Sequence, residues 1–326
     1  MPTTPRRALL AALAAPALLA PHLARAAEPW PTRPITILLP VPPGGPGDML
    51  GRLLGPALTA EFGQPVVMDN RPGAGGTIGL DFAARSRADG HLLVIVSNST
   101  YAIAPHLYPM PYDNGTAFAP IALLVGAPSF LCVHKDVPAR SVAELVALLR
   151  AKPDSLAFAT AGIGFTSHLA TELFMALTGT SMLHVPYRGG APATQALLSG
   201  EAQLNFMEAA LARAMVPGGL IRPLAVTSRT RVPWMPEVPT LDEAGVPGFE
   251  SATYWAMIAP GGVPQPVLDR VMAVVLRELR ETRVRDRVAA AGFIPLAGDA
   301  AAFAAHKAAD TAKWGALIRS RGIRIP

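Results

Sequence analysis

Cysteine is all but missing from this chain of 326 residues: Cys132 stands alone in the apolar run SFLCVH, so no intramolecular disulfide can form. Its distance from the N-terminus also excludes a lipid-carrying cysteine at a processed end, leaving a buried structural thiol as the expectation. The seven histidines form neither H-x-H nor H-E-x-x-H, and no carboxylate cluster has ligand spacing. Neither a metal site nor a cofactor is therefore expected. Clustered Lys/Arg runs are absent, and Trp30, Trp234, Trp255 and Trp314 are isolated, which removes both the electrostatic footprint and the stacking platform of a nucleic-acid binder. No repeat of fixed period occurs. Hydrophobic residues make up 51%, yet they are not clustered in long uninterrupted runs beyond the first 26 residues, so the rest does not read as membrane-spanning.

Those first residues, MPTTPRRALLAALAAPALLAPHLARA, put Arg6 and Arg7 before an Ala/Leu stretch and end in a small-x-small cleavage pattern. They read as an export signal cut after Ala26, by the general or the twin-arginine route. The formal charge of the whole chain is +5, and Arg6, Arg7 and Arg25 contribute three of those charges with no acid beside them, so the remainder carries 5 − 3 = +2. The basicity belongs largely to the export signal.

The length suggests two domains. From Ile35 onward, short apolar runs at 35–39, 66–68, 92–97, 130–134, 156–160, 182–186, 204–207 and 224–227 alternate with segments of helical period. Being apolar throughout, these runs fit strands covered on both faces, and the alternation predicts α/β architecture with mainly parallel sheets. Ser141 with Glu144 and Thr240 with Glu243 have the spacing of capping boxes. The stretch 48–62 has one apolar helical face, with Pro56 arguing for a bend. After Gly261 the pattern turns mostly helical, over 264–281, 283–290 and 299–320.

Three glycine-rich loops follow strands and open helices. In TILLPVPPGGPGDML, Gly44 and Gly45 can bring backbone N–H groups to an anion at a helix start, while Pro46 and Gly47 stand where a phosphate loop needs Lys and Ser/Thr. An equally open reading is a Pro/Gly turn with Asp48 as a helix cap. The loop RPGAGGTIG (71–79) has Ile78 where a dinucleotide fingerprint requires glycine, and no acid closes the strand at 92–97. The loop TAGIGFTSH (160–168) supplies Gly162, Gly164 and the hydroxyls of Thr166 and Ser167. Ser167 beside His168 raises the alternative of an exported hydrolase, but neighbours on a helix diverge and no G-x-S-x-G elbow surrounds the serine. Loops gathered at strand ends favour binding of a small carboxylate in a crevice.

WPTRPI (30–35), PGGPGD (43–48), QPVV (64–67), NRPGAGG (70–76), AGIGFTSHLA (161–170), HVPYRG (184–189), LAVTS (224–228) and VPTLDEAGVPGF (238–249) together resemble the Bug family. These are periplasmic solute receptors of tripartite tricarboxylate transporters. The resemblance covers essentially the whole chain beyond the signal. It implies a periplasmic-binding-protein type II fold with a ligand cleft between two lobes, residues 27–127 with 248–326 and residues 128–247. It also implies a non-catalytic monomer that delivers a small organic acid to membrane permease subunits, or a sensor with the same cleft. Carried over by motif, the ligand contacts fall on Gly44, Gly45, Gly75, Ser97 and Ser99 in the first lobe, with Asp48 holding its loop. In the second lobe they fall on Gly162, Gly164, Thr166, Ser167 and Tyr187. Ile163, Phe165 and Met207 stand where the family commonly has polar residues, so the ligand is expected to carry an apolar or aromatic part, unless these side chains face the core or hinge.

Overall fold

In a computed structural model, which describes residues 30–325, the apolar run ITILL forms β1 (Ile35–Leu39) and the Pro/Gly loop leads directly into α1 (Pro46–Phe62). The expected export signal, 1–26, lies outside the described residues. The chain continues through β2 (Val66–Asn70), α2 (Thr77–Ala84), β3 (Leu92–Ser97) and the long β4 (Phe118–His134). There follow α3 (Val142–Ala151), β5 (Ala157–Thr160), α4 (Thr166–Thr178), β6 (Leu183–Pro186), α5 (Gly190–Ser199), β7 (Leu204–Glu208), α6 (Ala209–Met215) and β8 (Ile221–Val226). The last elements are β9 (Ala252–Pro260), α7 (Gln265–Arg280), α8 (Thr282–Ala290), β10 (Ile294–Gly298) and α9 (Ala300–Arg321).

The strands fall into two halves that share β4. One half is ordered β2-β1-β3-β9-β4-β10 and the other β6-β5-β7-β4-β8. β4 pairs with β9 up to Pro128 and with β7 from Ser129, so a single strand carries the chain from one half to the other. The return passage lies between Thr227 and Ser251, and the two passages are bonded together. Ser129 N–H donates to Thr227 Oγ1 at 2.8 Å, Thr227 N–H to Ser129 O at 2.9 Å and Ser251 N–H to Thr227 O at 3.0 Å.

The α/β class matches the sequence expectation, but the sheets are mixed rather than mainly parallel. β1 is parallel to β2 and β3, and β5 to β6 and β7, whereas β9, β4, β10 and β8 enter antiparallel. Continuous apolar runs report burial on both faces and carry no information on strand direction. β9, β10 and the first half of β4 were not among the expected strands. Pro56 lies within α1 on its exposed side, where its missing N–H leaves the helix unbroken. Only the second capping box closes: Glu144 N–H donates to Ser141 Oγ while Glu144 Oε2 accepts from Arg140 N–H rather than from Ser141, whereas Glu243 N–H donates to Thr240 Oγ1 and Thr240 N–H returns to Glu243 Oε2. The second starts only a turn, because Gly245 and Pro247 follow at once.

Each half has its own core. Leu50, Leu54 and Leu58 of α1 meet Val271 and Val275 of α7 over Ile37 and Leu93, and on the opposite face Phe303, Trp314 and Ile318 of α9 cover Val94 and Val96. In the other half Leu145 and Leu149 of α3 and Phe174 of α4 pack on Leu131, Val133 and Phe206. Each fully buried side chain of this size contributes roughly 1.5–3 kcal/mol, enough for each sheet to hold its own helices. Cys132 is fully buried on β4 against Phe130, Leu197 and Met207, and burial pushes its thiol far above its ordinary range. A thiol reagent is expected to leave the native protein unlabelled and to label one site per chain after denaturation; rapid native labelling would contradict this packing.

Candidate functional site

Strand direction explains where the site lies. β1 and β3 in one half, and β5 and β7 in the other, end at edges that face each other, and their following loops and helix starts line one cavity of about 790 Å³. Its walls come from the loop before α1, the 72–76 segment, Ser97 and Ser99, the α4 start, the α5 start, the end of β7 and the turn at 291–293. Such a volume suits a small organic molecule.

The α1 start is held from below. Asp48 Oδ2 accepts from Gly44 N–H at 3.2 Å and from Arg52 Nε at 2.8 Å. The Arg52 guanidinium holds the Asp48 carboxyl below its ordinary range, with the Gly44 N–H assisting against the cost of burial. Gly44 therefore lines the cavity but its N–H is occupied, whereas the Gly45 N–H has no partner among the described residues. Gly47 is needed for packing: a Cβ there would stand 2.6 Å from the Trp255 ring, which lines the cavity floor.

The α4 start is tied more elaborately. Ala161 N–H donates to Ser167 Oγ at 3.2 Å, Gly162 N–H to Thr160 Oγ1 at 3.3 Å and Gly164 N–H to His168 Nδ1 at 3.2 Å. The N–H groups of Ile163, Thr166 and Ser167 have no partner among the described residues, and all three residues line the cavity. Unpaired N–H groups at a helix start, with the helix dipole behind them, favour an anion. Thr166 also reaches across the cavity. Its Oγ1 lies 3.2 Å from Ser99 Oγ and accepts from Thr253 Oγ1 at 3.1 Å.

Ser167 and His168 do not form a nucleophile–base pair, since each accepts from a different backbone N–H. His168 is buried and stacked on His184 at 4.2 Å, with its Nε2 3.7 Å from Glu172. Burial, reinforced by neighbouring His168, lowers the His184 pKa to about 4, so that ring is neutral at pH 7. Its Nε2 lies 2.7 Å from Thr160 Oγ1 and supports the loop.

The cavity gathers Gly44, Gly45, Gly75, Ser97, Ser99, Ile163, Gly164, Phe165, Thr166, Ser167 and Met207. Asp48, Gly162 and Tyr187 do not line it. Tyr187 donates its hydroxyl to Glu201 at 2.8 Å, which draws the ring away over a patch of alanines. Phe165 is half exposed at the cavity rim, whereas Met207 is buried and turns mostly into the core beside Phe130 and Cys132. Sequence reasoning missed Thr194, Asn205, Glu208, Thr253 and Trp255, which also line the cavity. For Asn205 the only available signal was its place near the end of an apolar strand, whereas Glu208 directly follows Met207, where the resemblance puts a ligand-facing polar residue. Among the described residues Glu208 is the one charged side chain in the lining; it is open to cleft water yet flanked by protein on most sides, and burial raises its pKa.

Two α/β halves joined through a shared strand, enclosing a cavity lined by helix starts, define a solute-binding receptor of the type that holds its ligand between lobes. The chain belongs to the tripartite tricarboxylate transporter family of receptors (TctC), whose model matches residues 50–323. It is 36% identical to a UPF0065 protein from the tcbD-tcbE intergenic region of Pseudomonas sp. strain P51, over 96% of this chain and 94% of that one. Among solved structures it is similar to Rpa4515 of R. palustris with adipate, at 34% identity and TM-score 0.80, covering 91% of this chain and 100% of the other. The periplasmic binding protein BugD matches at 32% identity and TM-score 0.76, covering 91% of this chain and 100% of the other.

Proposed function

We propose that this chain is a periplasmic receptor that captures a small organic carboxylate, with an apolar or aromatic part, and delivers it as a monomer to the permease subunits of a tripartite transporter. The moving bodies are residues 27–127 with 248–326 and residues 128–247, and the segment 1–26 directs export. One observation carries the reading: among the described residues, a cavity faced by both halves offers unpaired N–H groups at Gly45, Ile163, Thr166 and Ser167 and hydroxyls at Thr166 and Ser167, with no Lys, Arg or His in its lining. Neutral donors at helix starts hold a carboxylate without fixing it in an ion pair, so the ligand can leave again. The relative bound to adipate supports a carboxylate as ligand. Ile163, Phe165 and Trp255 supply apolar contact for the rest of the molecule. Closure on the ligand is a shift between open and closed populations, driven by contacts that only the closed form makes to the ligand.

Thermal unfolding with a panel of aliphatic and aromatic carboxylates and their amides tests this. At a hundredfold excess over Kd, a cognate carboxylate is expected to add about 2.7 kcal/mol of stability, whereas its amide adds little. Equal effects of acid and amide would overturn the carboxylate reading, and consumption of the ligand by wild type but not by Ser167→Ala would overturn the receptor reading.

A further inference from the structure

Outside the cavity, α4 is fastened to the opposite half along its length. Among the described residues, Thr166 and Glu172 carry every hydrogen bond and ion pair that a side chain makes between the two halves. Thr166 meets Ser99 and Thr253 at the cavity, and Glu172, less than two turns further along, accepts from Arg321 Nε of α9 at 2.6 Å. Between these two ties Leu169 is fully buried in one cluster with Trp314, Leu317 and Ile318 of α9.

Glu172 connects this joint to the anion site. Its Oε1 lies 3.7 Å from His168 Nε2, and His168 Nδ1 accepts from Gly164 N–H in the loop that presents the N–H groups of Ile163, Thr166 and Ser167. A neutral imidazole that accepts at Nδ1 carries its proton on Nε2, here on the side of Glu172. Burial pushes the Glu172 carboxyl up, but His168 and Arg321 together outweigh it and hold the pKa below the ordinary value, so Glu172 is ionised at pH 7. Its charge stands about 9 Å along α4 from Thr166. At that range a carboxylate repels the ligand's carboxylate unless a cation stands against it, and Arg321 is the only Lys or Arg paired with it among the described residues.

We infer that Arg321 is a positioning residue for ligand capture: it neutralises Glu172 across the join between the halves and so keeps the α4 start attractive to a carboxylate that Arg321 itself does not touch. This rests on the receptor reading above and deepens it. The role is one of charge rather than packing. Arg321 is 35% exposed, so the pair adds little to folding stability, and Leu169 seats α4 on α9 whether or not the pair forms.

Calorimetry tests it with the acids of the panel above that bind wild type, with hexanoate, adipate and 3-phenylpropanoate among them. Arg321→Gln is expected to weaken their binding by about tenfold, whereas Arg321→Lys, which keeps the charge, stays within about threefold of wild type. Glu172→Gln is also expected to stay within about threefold, and the double variant Arg321→Gln with Glu172→Gln to recover most of the loss, because the repelling charge leaves with its partner. Melting temperatures establish that each variant folds, and Glu172→Gln, close to isosteric, is a test independent of Arg321→Gln. Wild-type affinity in Arg321→Gln, a double variant as weak as Arg321→Gln, or a loss of about tenfold in Glu172→Gln alone would overturn this inference and leave the receptor reading standing. No binding of any carboxylate to wild type would overturn both.

Discussion

Thr166→Val is expected to weaken carboxylate binding by roughly 5- to 150-fold, the equivalent of two hydrogen bonds of about 0.5–1.5 kcal/mol each. Thr166 Oγ1 meets Ser99 Oγ and Thr253 Oγ1, and both partners belong to the opposite half. Valine keeps the shape and removes the hydroxyl, so the closed arrangement loses its polar tie while the α4 start keeps its free N–H groups. Ser99→Ala is expected to lose only part of this, and the double variant less than the sum of the two, since they share one contact. Isothermal calorimetry gives the affinities and small-angle scattering the degree of closure. Wild-type affinity in Thr166→Val would mean that the hydroxyl bridge does not contribute to the liganded state.

Asp310→Ala is expected to cost roughly 2–4 kcal/mol of folding stability, towards the lower side for a broken buried pair because Lys313 keeps partial access to water. Asp310 Oδ2 accepts from Asn98 Nδ2 at 2.8 Å, and Oδ1 lies 3.2 Å from Lys313 Nζ, which also donates to Glu250 Oε2 at 2.9 Å. Asn98 in turn donates to Ala252 O and accepts from Tyr254 N–H, and it stands between the cavity residues Ser97 and Ser99. A loss at α9 therefore reaches the cleft through Asn98. Burial pushes the Asp310 carboxyl up, but His306, Lys313 and Asn98 together outweigh it and hold the pKa below the ordinary value. With the folded pKa depressed, the carboxylate's contribution is complete above the unfolded value of about 3.9 and is lost as pH falls through the folded one. Denaturant melts of wild type and Asp310→Ala are thus expected to converge towards strongly acidic pH. A constant gap across the acid range would remove the ionised carboxylate from the account.

Much of the site was legible because its parts are local. A strand followed by glycines and then a helix is contiguous in sequence, so the segments ending at Gly45 and Ser167 could be read as helix starts with free N–H groups. Even so, the occupied N–H of Gly44 and the turning away of Tyr187 depend on which side chain comes to lie beside them, Asp48 in one case and Glu201 in the other. Strand direction was not legible either. The apolar β9 runs antiparallel between β3 and β4, and nothing in its composition differs from that of a parallel strand.

The amino-acid sequence by itself determined most of the elements, though not β9, β10 or the first half of β4, and with them the sheets' apolar interiors and the glycine loops, because propensity, capping and helical period act over a few residues. Only the tertiary structure decided that Thr166 would meet Ser99 and Thr253 across the cleft, and that Asn205 and Glu208 would face the cavity. Asn205 and Glu208 are three residues apart and leave opposite faces of β7, so what brings both to the cleft is where the strand ends, and that is set by pairing with strands distant in sequence. For β7 that position is fixed by its antiparallel register on β4, Ser129 opposite Glu208, where the chain passes from one half to the other.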